Sequence, residues 1–145
     1  MSEGESCRIE AARPAIAGHD IGERFARLLA AKDFDGVVSL LTGDVEFRAL
    51  TPRRAWAADG PPAVLEILGT WFGELDRIIS LDKLERDAFA DRERVGYRLT
   101  VENREGSFQL EQQAYLATDG ERITWLRVLC SGYRPLTRAV RADAD

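Results

Sequence analysis

The chain has 145 residues, 45% hydrophobic and 31% charged, with 25 acidic side chains against 20 basic ones for a net charge of −5. That length bounds it to one domain, large enough to bury a core without disulfide or metal staples, and the acidic balance excludes nucleic acid as the main partner, because phosphate binding needs a basic face. No apolar run approaches the ~20 residues of a membrane span, and the N-terminus carries no apolar signal segment.

Residues 1–17 mix Ser, Glu, Gly and Pro without periodicity and are expected to form a flexible leader. Helical spacing begins at Asp20, where Ile21, Phe25, Leu28 and Leu29 share one face. Asp33 opens a second, shorter helix that Gly43 is expected to close as a C-cap glycine. The stretch 44–50 alternates, with Val45, Phe47 and Ala49 on one face and Glu46 and Arg48 on the other, which predicts a strand with one buried side. The breakers in 51–62 predict a loop, and Pro61 and Pro62 start a third helix whose stripe includes Val64, Leu68, Trp71 and Phe72. Strand-like runs follow at 77–87, 92–102, 107–118 and 122–133, separated by hairpin material such as Asn103–Gly106 and Thr118–Glu121. Residues 135–145 alternate charge and alanine and are expected to fray. Helices first and antiparallel strands afterwards predict an α+β domain over 18–134, with three helices packed in a strongly curved, mainly antiparallel sheet.

Cys7 and Cys130 are far apart and show no metal or redox spacing, so no disulfide framework is expected and a reduced cytoplasmic setting is favoured. With His19 as the single histidine, no built-in metal and no cofactor are expected. His19 itself reads as a surface or helix-start residue rather than a catalyst.

The segment from Phe25 to Phe47, with its Ala31-Lys32-Asp33-Phe34-Asp35 turn and its Leu41-Thr42-Gly43-Asp44-Val45-Glu46-Phe47 run, resembles the opening of nuclear transport factor 2-like, or SnoaL-like, proteins. Asp119-Gly120-Glu121-Arg122-Ile123 resembles the turn that precedes the final strand in that family, and the resemblance covers residues 20–134. It implies a cone: a bent sheet wrapped around three helices, with a pocket at the wide end and a homodimer through the convex sheet face. The family hosts ketosteroid isomerases, polyketide cyclases, dehydratases, epoxide hydrolases and non-catalytic binding modules, so the fold does not choose the function. Against the ketosteroid isomerase pattern, the tyrosine donor position falls at Phe25, the general-base aspartate at Ala49 and the protonated acid at Gln113. Phe25 and Ala49 move no proton, so steroid isomerase chemistry is disfavoured.

The family register for 107–118 turns Gln109, Glu111, Gln113, Tyr115 and Ala117 toward the pocket; simple amphipathicity turns Phe108, Leu110 and Leu116 there instead. The family register is adopted here. It makes Glu111 a candidate general acid or base, against the alternative of a carboxylate paired with Arg98, and makes Gln113 and Tyr115 candidate ligand hydrogen-bonders. Cys130 is expected to face inward with Leu126 and Val128, as a small apolar liner rather than a nucleophile. Trp56 is either a lid over a ligand or a plug in the open end of the core. Trp71, Phe72 and Tyr97 are core residues first, and wall the pocket where a cavity remains. Outward-facing Trp125 and Leu129 support dimerisation. The expected function is therefore small-molecule binding in an apolar pocket with a few hydrogen-bonding groups. Two alternatives stay open: a cofactor-independent cyclase, isomerase or lyase using Glu111 or a bound water, and a protein-interaction module with a filled pocket.

Overall fold

A computed structural model describes residues 20–136. The expected leader over 1–17, His19, Cys7 and all but the start of the expected C-terminal tail lie outside those residues. Helix α1 (Ile21–Ala30) begins at Asp20, whose carboxylate accepts from Glu23 N at 3.3 Å and so satisfies one of the open amides of the first turn. Its buried face is Ile21, Phe25, Ala26 and Leu29, while Glu23 and Arg27 pair four residues apart on the outside. Helix α2 (Phe34–Ser39) is capped in the same way by Asp33, which accepts from Gly36 N at 2.9 Å.

Strand β1 (Leu41–Thr51) starts earlier than expected, and Gly43 lies inside it rather than closing the helix. Leu40 is the helix C-cap, and the pairing of β1 with β6 shifts register between Leu41 and Glu46, where five positions on β1 are set against two on β6. The breaker-rich stretch after it is not simply a loop. Arg54–Asp59 forms strand β2, which folds back on β1 with Ala49 opposite Trp56 and Phe47 opposite Ala58. Gly60, at φ 93°, then turns the chain into helix α3 (Pro61–Trp71), with proline in its first turn as expected.

Strands β3 (Arg77–Phe89), β4 (Arg92–Asn103), β5 (Gly106–Thr118) and β6 (Ile123–Cys130) complete the sheet, and a short β7 (Arg134–Pro135) pairs with the start of β5. Pro135 and Leu136 are thus tied to β5, Leu136 N donating to Ser107 O at 3.0 Å, although that stretch was expected to fray. The order is β2-β1-β6-β5-β4-β3, with β1 and β6 parallel and the other neighbours antiparallel. The sheet is open, and its long edge strand β3 is interrupted by register shifts after Ile78 and after Leu81, irregularities that discourage edge-to-edge pairing.

Residues directly opposite in a ladder share a face, so the concave side reads off as rows. One row is Val95, Ala114, Val128 and Ala49; the next is Tyr97, Gln112 and Cys130; beyond it Leu99 faces Leu110. The helices fill this side: α1 lies on β3 and β4, with Phe25 edge-on to Tyr97 at 6.2 Å, and α3 lies on β1 and β2. No helix among the described residues is long and apolar enough to cross a membrane.

Candidate ligand-binding site

The rows correct the expected register of β5 by one residue. Leu110, Gln112, Ala114 and Leu116 are buried on the concave side, whereas Glu111, Gln113 and Tyr115 stand on the convex side. Burial of the apolar set outweighs the alignment, because a slip would expose Leu110 and Leu116 and bury a carboxylate. The three convex residues have partners there. Glu111 accepts from Arg98 Nε at 2.7 Å, as an outer ion pair. Gln113 lies over Gly96, where any Cβ would approach it to 2.8 Å, and accepts from Arg94 Nη1 at 2.6 Å. Tyr115 packs edge-on against Phe89. Glu111 therefore lies away from the cone interior, as do Gln113 and Tyr115.

Between the end of α3 and strands β5 and β6 a cavity of about 170 Å³ remains. Trp71, Phe72 and Tyr133 form its helix-side and chain-end walls; Leu110, Gln112 and Cys130 form its sheet floor; Thr51 and Gly132 close its sides. Of the residues expected here, Trp71 and Cys130 line the cavity. Tyr97 sits behind Gln112, its hydroxyl donating to Gln112 Oε1 at 2.6 Å. Burial holds that phenol well above its ordinary pKa, so it stays a donor. Trp56 is one layer further out, edge-on to Trp71 at 5.9 Å, with its Nε1 donating to Thr51 Oγ1 at 2.8 Å and Arg54 stacked 3.6 Å from its ring. These contacts hold the Trp56 side chain in place against Trp71 and Thr51.

One donor is left over. Trp71 Nε1 is buried and has no hydrogen-bond partner among the described residues. Gln112 is 1% exposed and uses its Oε1 on Tyr97. Buried polar groups are almost always satisfied, so the open indole N–H of a residue that lines the cavity calls for an acceptor. Tyr133 turns its hydroxyl the other way, donating to Trp71 O at 3.1 Å. Burial first, then nearby Asp76, pushes that phenol's pKa up. No carboxylate, lysine or histidine lines the cavity among the described residues. Asp76, close to Tyr133, has both oxygens engaged, by Gly73 N and by Asn103 Nδ2, each at 2.9 Å.

Gln112, Leu110 and Tyr133 were not expected as site residues, whereas Phe72, expected as a wall where a cavity remains, does line it. The signal for Gln112 was present: it sits within the apolar set Phe108, Leu110, Ala114 and Leu116, and a polar residue inside a buried stripe is the informative exception.

No family model and no curated protein matches the chain. The chain has the nuclear transport factor 2-like cone fold. Among solved structures it is similar to a provisionally assigned isomerase of Bacillus subtilis (13% identity, 77% of this chain and 84% of that one, TM-score 0.65). It is likewise similar to a provisionally assigned polyketide cyclase of Xanthomonas campestris (16% identity, 81% and 90%, TM-score 0.63). A third is a nuclear transport factor 2-like protein of Burkholderia xenovorans (17% identity, 77% and 87%, TM-score 0.59).

Proposed function

We propose that the protein binds a small, mostly apolar ligand carrying one carbonyl-type oxygen in the cavity beside the end of α3. The observation that carries this reading is the unpartnered donor Trp71 Nε1, on a residue lining a cavity whose walls are largely apolar. A volume of about 170 Å³ matches a single ring rather than a steroid or a polycyclic polyketide, since ~150 Å³ holds one benzene. Structural neighbours bear the names of an isomerase and a polyketide cyclase. Enolising chemistry needs a base beside the substrate; among the described residues no carboxylate, lysine or histidine lines this cavity, which favours binding as the reading. Acetophenone is a suitable probe. Saturable binding to the full chain, followed by isothermal titration, is expected. Trp71→Phe is expected to weaken it several-fold, the loss of one hydrogen bond of ~0.5–1.5 kcal/mol. Absence of saturable binding would overturn the reading.

We also propose that a second copy of the chain covers the convex face. Leu50 and Leu129, paired across β1 and β6, are 53% and 46% exposed there. They flank a groove of about 390 Å³ to which Ala55 and Ala57 contribute. Apolar exposure of this kind on a sheet face marks an association surface.

A further inference from the structure

We propose that Tyr133 sets the size limit of the ligand, confining the cavity to molecules of one ring. This rests on the cavity being a ligand site, and it names the side chain that selects among ligands. Tyr133 reaches the cavity because the last strand carries an extra residue. The β5–β6 ladder ends with Gln112 opposite Cys130, and pairing resumes between β5 and β7 with Gln109 opposite Arg134. Three residues, Ser131 to Tyr133, are thus set against two, Leu110 and Glu111, which is a bulge. Side chains alternate along a strand, and Cys130 is on the concave side with Gln112. Without the extra residue Tyr133 would stand on the convex side with Ser131; with it, Tyr133 becomes a wall of the cavity. Gly132, at φ 82°, supplies the left-handed backbone within the bulge.

The inward ring is braced by three groups. Its hydroxyl donates to Trp71 O at 3.1 Å, and its ring packs on Phe72 and Phe108 with centroids 6.4 and 5.7 Å away. Phe72 lines the cavity and Phe108 does not, so the Tyr133 ring separates the ligand space from Phe108. Swinging it aside would give up the hydrogen bond and both aromatic contacts together. Because the hydroxyl is spent on a backbone carbonyl, Tyr133 offers the ligand an apolar face; it decides how much fits, and the indole N–H of Trp71 is left to take the oxygen. The opposite wall is backed as well, since Trp71 packs against Phe47 and Trp56, and the floor is the sheet itself. The space of about 170 Å³ takes one ring, as ~150 Å³ holds one benzene. A fused second ring gains room where Tyr133 stands, beside apolar Phe72 and Phe108.

The test compares acetophenone with 2-acetonaphthone, which carries the same methyl ketone on two fused rings, by isothermal titration of the full chain. The wild type is expected to bind the naphthyl ketone at least about tenfold more weakly, the cost of overfilling a packed site. Tyr133→Ala is expected to reverse that order, weakening acetophenone several-fold while the naphthyl ketone tightens. Tyr133→Phe keeps the ring and is expected to keep the single-ring preference. Tyr133→Leu, a milder truncation, is expected to shift the ratio in the same direction as alanine and serves if the alanine variant does not melt cooperatively. The ratio is the readout because a loosened fold weakens both ketones together. Wild-type affinity for the naphthyl ketone equal to or above that for acetophenone, or a ratio that truncation leaves unchanged, would overturn the proposal and leave the cavity reading standing. If the wild type binds neither ketone, both fall.

Discussion

Tyr97 and Gln112 form a buried pair in which each side chain settles the chemistry of the other. The phenol is held protonated by burial and needs an acceptor, and Gln112 Oε1 is the one it has. Gln112→Leu is therefore expected to cost about 1–3 kcal/mol in urea unfolding, the penalty of an orphaned buried hydroxyl, and adding Tyr97→Phe is expected to recover much of it. Gln113→Leu removes only one partner of Arg94, whose Nε goes on donating to Asp87 Oδ1 at 3.1 Å, and is expected to shift stability by about 0.5 kcal/mol or less. The opposite ranking would mean that Gln113, not Gln112, is the inward residue. Glu93 makes a second case. It lies in the inner row opposite Leu116, and any Cβ added to Gly22 of α1 would sit 3.6 Å from its Oε1. Burial first, and then the negative charge of Asp20, raise its pKa above the ordinary carboxylate value. The folded state thus holds this proton more tightly than the unfolded chain, so stability contributed by Glu93 falls as pH rises from the unfolded to the folded pKa. Glu93→Gln is expected to raise the urea midpoint at pH 7 and to lose that advantage below the carboxylate range. An advantage that grew on acidification would contradict the sign.

At the scale of elements, the caps and the helix starts were legible because they depend on local chemistry: Asp20, Asp33 and the Pro61-Pro62 pair act on amides a few residues away. The elements misread were those decided at a distance. Gly43 has the right neighbours for a C-cap, but pairing of Leu41 with Ile123 takes it into β1. Strand β2 is short and alanine-rich, with no apolar alternation beyond Trp56 and Ala58; it exists because β1 offers it a ladder. The slip in β5 has the same origin, since the residues of 107–118 satisfy two registers and only the burial of Leu110 and Leu116 decides between them. The end of β6 gives a sharper test. Gly132 needs its positive φ, and a Cβ there would lie 2.7 Å from Pro52 Cγ, in the turn between β1 and β2. Gly132→Ala is expected to destabilise the fold by about 1–3 kcal/mol and to loosen acetophenone binding, because both backbone and neighbour must move. An unchanged melting temperature would show that the turn at Pro52 yields freely.

For the whole molecule, Trp125 points outward as expected but is not a bare aromatic awaiting a partner. Arg127 and Arg92 stack on it at 4.2 and 4.3 Å, and Arg127 is itself tied to Glu46 at 2.6 Å. Two guanidinium contacts account for much of its shielding from water, so Trp125 lends less weight to association than the pattern of residues implied. The weight moves to Leu50 and Leu129, which face the outside side by side with no such cover. Around them the convex face is polar: Arg98 with Glu111 on one side, and Asp82 receiving Ser80, Thr100 and Gln109. A polar rim about a small apolar centre is the arrangement that the proposed dimer interface calls for. The proposed dimer is expected to appear in light scattering of the wild-type chain at micromolar concentration. Leu129→Glu is expected to weaken it by about 2–4 kcal/mol, on the order of a hundredfold or more in dissociation constant, because an unpaired carboxylate would be buried at the centre. Trp125→Ala is expected to change it less, and neither substitution reaches the concave side, so acetophenone binding per chain is expected to stay unchanged. A wild-type monomer at that concentration would leave the convex face without a partner of its own kind, and a Leu129→Glu dimer as tight as wild type would move the interface elsewhere.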